Sequence, residues 1–319
     1  MRKEIHHILF IFLILTLFNS SYCKLINQKI SIAYGLNNQY TYPTIVSITS
    51  ALENRFPQTY YVFYLLVDKK SFKSDNKNML LDIEKKYENC EINIFEISDE
   101  TFRGANTRRY PMATYYRLLL AELLPDLNRI IYIDGDTLVY QDLTEMFNLV
   151  MGNNIALGFV DNSYHKAQDF GITTYKYVVA GVLLINLKKI SKENFTTKFF
   201  EFIDKNRNKL SQEDQTVINI VLHGRIDLLP PKYGMWNFNN KDAVIHHNNY
   251  ENRGLGIKAY DEKEILKAWN TPAILHFVRA KPWKSRTRYT NNRFHDDWWE
   301  YAKMTNVYKK ILSYYGKIK

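Results

Sequence analysis

The sequence predicts an α/β protein: a mostly parallel, twisted sheet with helices on both faces, in a single domain. Three observations carry this expectation. Apolar strand-like runs alternate with segments of helical periodicity along most of the chain. No Pro/Gly/Ser-rich linker and no internal repeat divides it. One apolar run, Arg129-Ile-Ile-Tyr-Ile, ends abruptly in Asp134-Gly-Asp136, and sheets of this class present their chemistry outside the carboxyl ends of their strands.

In chain order, Met1-Arg-Lys-Glu-Ile-His-His is a short basic lead, and residues 8–18 are apolar except for Thr16. These eleven residues are short for a membrane span and suit the core of a signal peptide, with Ser21 and Cys23 at a cleavage point. Residues 1–23 are therefore expected to be a signal peptide, with a short uncleaved anchor as the alternative. Either version sends the chain into the secretory pathway, to the ER or Golgi lumen or outside the cell. Strands are expected at residues 30–34, 60–67, 92–97, 129–133, 155–159 and 178–185. Helices are expected at 44–52 after Pro43, at the amphipathic 79–87, at 114–124 up to Pro125, and at 198–208 and 212–222.

Without Cys23, Cys90 is the sole cysteine, so the mature chain forms no internal disulfide although the compartment allows one. Asn194-Phe-Thr is a glycosylation acceptor, consistent with a lumenal location. With 46% hydrophobic residues, a mature chain of about 290 residues can bury one large core unaided. The net charge of +10 is uneven: ten Lys and Arg residues from Lys281 onward interleave with Trp298, Trp299, Tyr301, Tyr308, Tyr314 and Tyr315. Such a mixture marks nucleic acid, an anionic membrane surface, or a terminal helix packing its aromatics on the domain. The secretory signal argues against nucleic acid, and packing is the simpler of the remaining two.

Asp134 and Asp136 alternate with Gly135, so both side chains share one face as the strand ends. With 17 aspartates in 319 residues an Asp-x-Asp spacing arises about once by chance. The preceding run of large apolar residues supplies the specificity. Two hard oxygen donors there suit a divalent cation held together with substrate phosphates.

Five more stretches stand in order around this one: Ile30-Ser-Ile-Ala33-Tyr-Gly-Leu-Asn37-Asn-Gln-Tyr40, Ala113-Thr-Tyr-Tyr-Arg117, Ala180-Gly181-Val-Leu-Leu-Ile-Asn186, Glu213-Asp214-Gln215 and His276-Phe-Val-Arg-Ala-Lys281-Pro-Trp283. Over roughly residues 29–284 the chain resembles glycosyltransferase family 8, retaining enzymes of the GT-A fold related to glycogenin and to bacterial lipopolysaccharide galactosyl- and glucosyltransferases. The resemblance implies a GT-A catalytic domain over residues 28–284, followed by the basic aromatic helical tail, 285–319. It implies Mn2+, or Mg2+, on Asp134, Asp136 and His276; imidazole beside carboxylates suits manganese better than calcium. It places the nucleotide-sugar donor against Ala33, Asn37, Arg117, Asp134, Gly181 and Lys281, the last a point charge for diphosphate. It assigns catalysis to Gln215, Asp214 and Arg117. The implied reaction moves a hexose from a nucleotide sugar, UDP-glucose or UDP-galactose, to a glycan, lipid or protein acceptor.

Three departures from the family pattern bear on the donor. Gly35-Leu36 replaces acidic residues usual in the first loop, leaving Asn37 or Asn38 to meet the nucleoside. Val179 stands where many relatives carry a sugar-binding Asn, and the spacing from His276 to Lys281 is one residue short. The rival reading as a phosphatase of the haloacid-dehalogenase type is disfavoured, because that family places glycine after its second Asp near the start of the domain, whereas here Gly135 lies between the two and the motif falls in mid-chain. A carbohydrate- or membrane-binding protein that keeps the fold without catalysis stays as the alternative.

Overall fold

The longest apolar runs of the sequence become strands buried on both faces, as covered sheets require. The computed structural model describes residues 28–102, 104–105, 107, 110–161, 163, 165–238, 259–278, 281–284 and 293–316. The expected signal segment lies outside the described residues. Among the described residues no helix is long and apolar enough to cross a membrane.

In chain order the strands are β1 (Lys29–Gly35), β2 (Tyr60–Asp68), β3 (Cys90–Ile97), β4 (Ile130–Ile133), β5 (Thr137–Val139), β6 (Ala156–Val160), β7 (Val178–Ile185), β8 (Ile226–Leu228), β9 (Met235–Trp236) and β10 (Ile274–His276). The main sheet has the order β3-β2-β1-β4-β7-β6-β8. Its pairs are parallel except β4–β7 and β6–β7, which are antiparallel. All six strands expected from the sequence are present, within about two residues at their ends.

Alternation along these strands divides the interior in two. Ile32 and Tyr34 of β1, with Ile131 and Ile133 of β4, join one core, whereas Ala33 and Tyr132 join the other. The first core is closed by helix α1 (Thr41–Glu53), the second by α3 (Phe195–Asn206) and α4 (Glu213–Val221).

Two helix expectations need correction. Helix α2 spans Ser74–Leu81 and continues only as turns to Tyr87, rather than running 79–87. Its start is set from outside: Asn38 Oδ1 accepts the Lys73 amide at 3.0 Å and the Asn76 side chain at 2.8 Å. A polar stretch that reads as a loop is thereby wound into the first turn. The segment 114–124 is a 3-10 helix at Met112–Leu119 and an α-turn only at Leu120–Leu123. Eight residues is long for this tighter form, and its first turn meets β1 closely: a Cβ on Gly35 would lie 2.6 Å from the Ala113 carbonyl oxygen.

A second, three-stranded sheet, β5-β10-β9, was not expected. Helices α5 (Glu262–Asn270), α6 (Arg293–Met304) and α7 (Tyr308–Tyr315) follow. Phe294, Trp298, Ile311 and Tyr315 of the tail are buried in the same core as β1 and α1. For the described residues of the tail the packing reading therefore holds: their aromatics are mostly inside, with Tyr314 the main exposed ring among them.

Candidate active site

The central strands set the stage. Ala33 of β1 pairs with Tyr132 of β4, and Ile133 with Val182 of β7, so Gly35, Asp134 and Gly181 arrive at one level. The Asp134 amide donates to the Gly181 carbonyl at 2.8 Å. Asp136 immediately precedes β5, which pairs antiparallel with β10 so that Thr137 faces His276. The Phe277 amide donates to the Asp136 carbonyl at 2.9 Å. A histidine from the far end of the chain is thus delivered to the second carboxylate by backbone pairing.

One ligand atom from each of Asp134, Asp136 and His276 lies within 4.8 Å of the others. His276 Nε2 is 3.2 Å from Asp136 Oδ1, and that oxygen is buried with no hydrogen-bond donor aligned to it. A buried carboxylate oxygen left this way is costly unless a cation completes it. Gly181 clears the space between the ligands: a Cβ there would lie 2.3 Å from His276 Cε1 and 2.7 Å from Asp134 Oδ2. The trio fits a divalent cation such as Mn2+ or Mg2+ in donor chemistry and in room.

Cationic side chains flank the trio. Lys281 Nζ donates to Asp136 Oδ2 and to the Phe277 carbonyl. Burial pushes the Asp136 carboxyl up, but Lys281 and His276 outweigh it and hold it well below the usual carboxylate range. Arg117 is buried: Nη2 donates to Asp134 Oδ1 at 3.0 Å, Nη1 to the Ala180 carbonyl, and Nε to the Thr114 carbonyl at 2.8 Å. Its guanidinium sits 4.0 Å from the centre of the Tyr132 ring. On its other side Arg117 Nε is 3.0 Å from Asp214 Oδ2. Burial pushes Asp214 up to about 6 despite that partner, with Asp134 adding to the rise.

Helix α4 supplies Asp214 and Gln215. The Gln215 amide is gripped at both ends: Oε1 accepts from the Ala180 amide at 3.1 Å, and Nε2 donates to Asp161 Oδ2 at 2.7 Å. One turn on, Asn219 accepts from the Val178 amide at 2.7 Å and donates to the Val178 carbonyl at 2.8 Å. The helix is thereby fastened to the start of β7. Glu213 holds φ +43°, a conformation uncommon for a residue other than glycine, right beside the two candidate residues.

These groups line one cavity of about 570 Å3. Asn37, Arg117, Asp134, Asp136, Gly181, Asp214, Gln215, His276 and Lys281 all reach it. Ala33 does not. It is wholly buried two residues inside β1, and the cavity instead meets Gly35 and Leu36, because the strand continues past Ala33 before the chain turns. Of the two loop asparagines, Asn37 lines the cavity, with Oδ1 capping the Gln39 and Tyr40 amides, while Asn38 is committed to Ser71, Lys73 and Asn76.

Sequence reasoning missed Asp161, Gln212 and Tyr40, which also line the cavity. A signal for Asp161 existed: it follows the apolar β6 as Asp134 follows β4. A separate cavity of about 390 Å3, at the amino ends of β1 and β4, holds none of the expected groups.

Comparison with known proteins agrees with this geometry. The chain is 27% identical over 241 residues to general stress protein A of Bacillus subtilis, spanning 73% of this chain and 79% of that one. It is 25% identical over 283 residues to lipopolysaccharide 1,2-glucosyltransferase of Escherichia coli K12, spanning 84% and 77%. It covers 63% of a putative glycosyltransferase of Haemophilus influenzae. Among solved structures, the galactosyltransferase LgtC in complex with donor and acceptor sugar analogues superposes with a TM-score of 0.70 at 22% identity, over 87% of this chain and 96% of that one. The bifunctional glycosyltransferase WbbM gives 0.71 at 19% identity, over 90% of this chain and 52% of that one. These likenesses establish the GT-A fold. Residues 31–287 match the profile of glycosyl transferase family 8, so the chain belongs to that family and its enzyme class is glycosyltransferase.

Proposed function

We propose that the protein is a metal-dependent, retaining hexosyltransferase that uses a UDP-linked sugar, UDP-glucose or UDP-galactose, and a glycan, lipid or protein acceptor. The observation that carries this reading is the meeting of Asp134, Asp136 and His276 at the floor of a cavity flanked by Lys281 and Arg117. When bound there, a divalent cation supplies charge neutralisation for a departing nucleoside diphosphate. Lys281 adds a point charge for the same phosphates, and Arg117 fixes Asp134 against Asp214. Asp214 orients hydroxyls of the bound sugar.

Gln215 is neutral and held at both ends, so it positions the sugar rather than attacking it. We therefore favour attack by the acceptor hydroxyl on the face the diphosphate leaves. Val179 gives the cavity an apolar wall, so no side chain there pairs with a sugar hydroxyl. A lumenal or secreted location is part of the proposal and rests on residues 1–23 of the sequence.

Turnover of a panel of UDP-sugars with and without manganese tests the reading. Asp136→Ala is expected to keep the fold and to lose at least about 100-fold in turnover, since even indirect metal partners are worth 10–100-fold. Full activity of the variant, or of the parent in chelator, overturns the metal role. A parent that binds sugars without any turnover favours the non-catalytic alternative.

A further inference from the structure

The C-terminal helices touch both segments that frame the cavity. Tyr40 closes the first loop and lines the cavity, and its ring lies edge-on to Trp283, 6.2 Å between centres. Trp283 stands two residues after Lys281 and packs on Trp298 of α6 at 5.1 Å and on Tyr315 of α7 at 6.3 Å. Tyr315 also meets Tyr42 at 6.1 Å, and its hydroxyl donates to the Gln39 carbonyl at 3.3 Å. Trp299 Nε1 donates to the Pro282 carbonyl at 3.2 Å. One aromatic cluster therefore grips the backbone of the Asn37–Tyr40 loop and that of the Lys281–Trp283 segment together. Neither segment is regular strand or long helix, and each carries a cavity residue, Asn37 and Lys281.

We propose that α6 and α7 form a positioning element for the donor, with Tyr315 and Trp299 fixing the relative placement of the first loop and Lys281, so that the tail sets affinity for the nucleoside diphosphate. The inference rests on the donor-site reading given above. Packing alone would need only buried rings. The two hydrogen bonds to Gln39 and Pro282 are directed at the backbone of the two cavity segments, where a displacement near 1 Å is felt strongly by a bound ligand.

The test uses the full chain, with UDP in manganese titrated by calorimetry and donor KM measured apart from kcat and acceptor KM. Tyr315→Leu is expected to weaken UDP about tenfold and to raise donor KM in parallel, with kcat within about twofold, while Tyr315→Phe, which keeps the ring and loses only the hydrogen bond to Gln39, is expected to cost about threefold. Trp299→Phe removes the indole N–H that reaches Pro282 together with part of the ring and is expected to cost at least about threefold in UDP affinity, which with Tyr315→Phe decides the matter if Tyr315→Leu fails to fold. Phe199→Leu, in the opposite core, serves as the control that loses stability without moving UDP affinity. Parental UDP affinity and donor KM in folded Tyr315→Leu or in Trp299→Phe overturn the positioning role, as does a loss in Phe199→Leu matching theirs. A parental protein that binds no UDP overturns the donor reading itself, and the inference with it.

Discussion

Gln215 is the residue whose setting most constrains mechanism. Its amide joins the Ala180 backbone to Asp161, which leaves it no freedom to swing as a nucleophile. Gln215→Ala is therefore expected to lower kcat well over tenfold with UDP affinity little changed, the pattern of a group acting mainly in the transition state; a covalent glycosyl adduct trapped on Gln215 would reverse that assignment. Asp214 makes a second, independent test. Its carboxyl sits at about 6 rather than 3.8 because it is buried. The folded protein thus holds this proton more tightly than the unfolded chain does. Its contribution to stability is full below about pH 4 and declines as pH rises toward 6, by up to roughly 3 kcal/mol. In chelator, the Tm of Asp214→Asn relative to the parent should stand higher at about pH 7 than at about pH 4.5. A pH-independent difference would reject the shift. Asp134 and Asp136 were legible because a solvated turn rarely follows four large apolar residues in a row, whereas a strand ending at a cation site does. The strained backbone of Glu213 was not legible, since neither glycine nor asparagine marks it.

At the scale of elements, legibility followed length and burial. β7 reads directly from Val178-Val-Ala-Gly-Val-Leu-Leu-Ile, since every residue in it is buried. β5, β9 and β10 hold two or three residues each and carry no periodicity to detect. They exist because β5 and β10 pair between segments more than 130 residues apart, and that pairing is what brings His276 to Asp136. The family resemblance named His276 as a ligand; the local pattern contained no reason for its position. Helix α2 was misread for a related cause, its first turn being fixed by Asn38 from another loop. The junction of α4 with β7 gives this scale its prediction. Asn219 is buried and holds both polar groups of the Val178 backbone. Asn219→Ala leaves those groups unpaired and is expected to cost about 2–3 kcal/mol in denaturant unfolding. The placement of Gln215 should loosen with it. A loss below about 0.5 kcal/mol would mean that the strand is held by its neighbours alone.

Over the whole molecule, the sheet separates two cores, and the tail belongs to the one that carries β1 and α1. The sequence left two fates for the basic aromatic tail, and burial separates them: Trp298 and Ile311 are wholly enclosed and Tyr315 nearly so. Tyr301 accepts a hydrogen bond from Asn54 at 2.6 Å, and Asp297 accepts one from Tyr140 at 2.8 Å. These contacts reach the end of α1 and the residue after β5, so the tail braces the frame as well as the cavity. The lysines on α6 and α7 remain outside, with Lys303, Lys309 and Lys310 exposed. An anionic surface worth about 1 kcal/mol per lysine attracts them only weakly once the rings beside them are buried elsewhere. Deleting residues 296–319 removes Trp298, Ile311 and Tyr315 together. Losing one such large core side chain costs about 3–5 kcal/mol, and a domain of this kind is stable by only about 5–15. The truncated protein is therefore expected to be insoluble or to melt without a cooperative transition, as circular dichroism and solubility would register. A soluble, cooperatively melting, active product that no longer sediments with anionic vesicles would instead make the tail a membrane anchor.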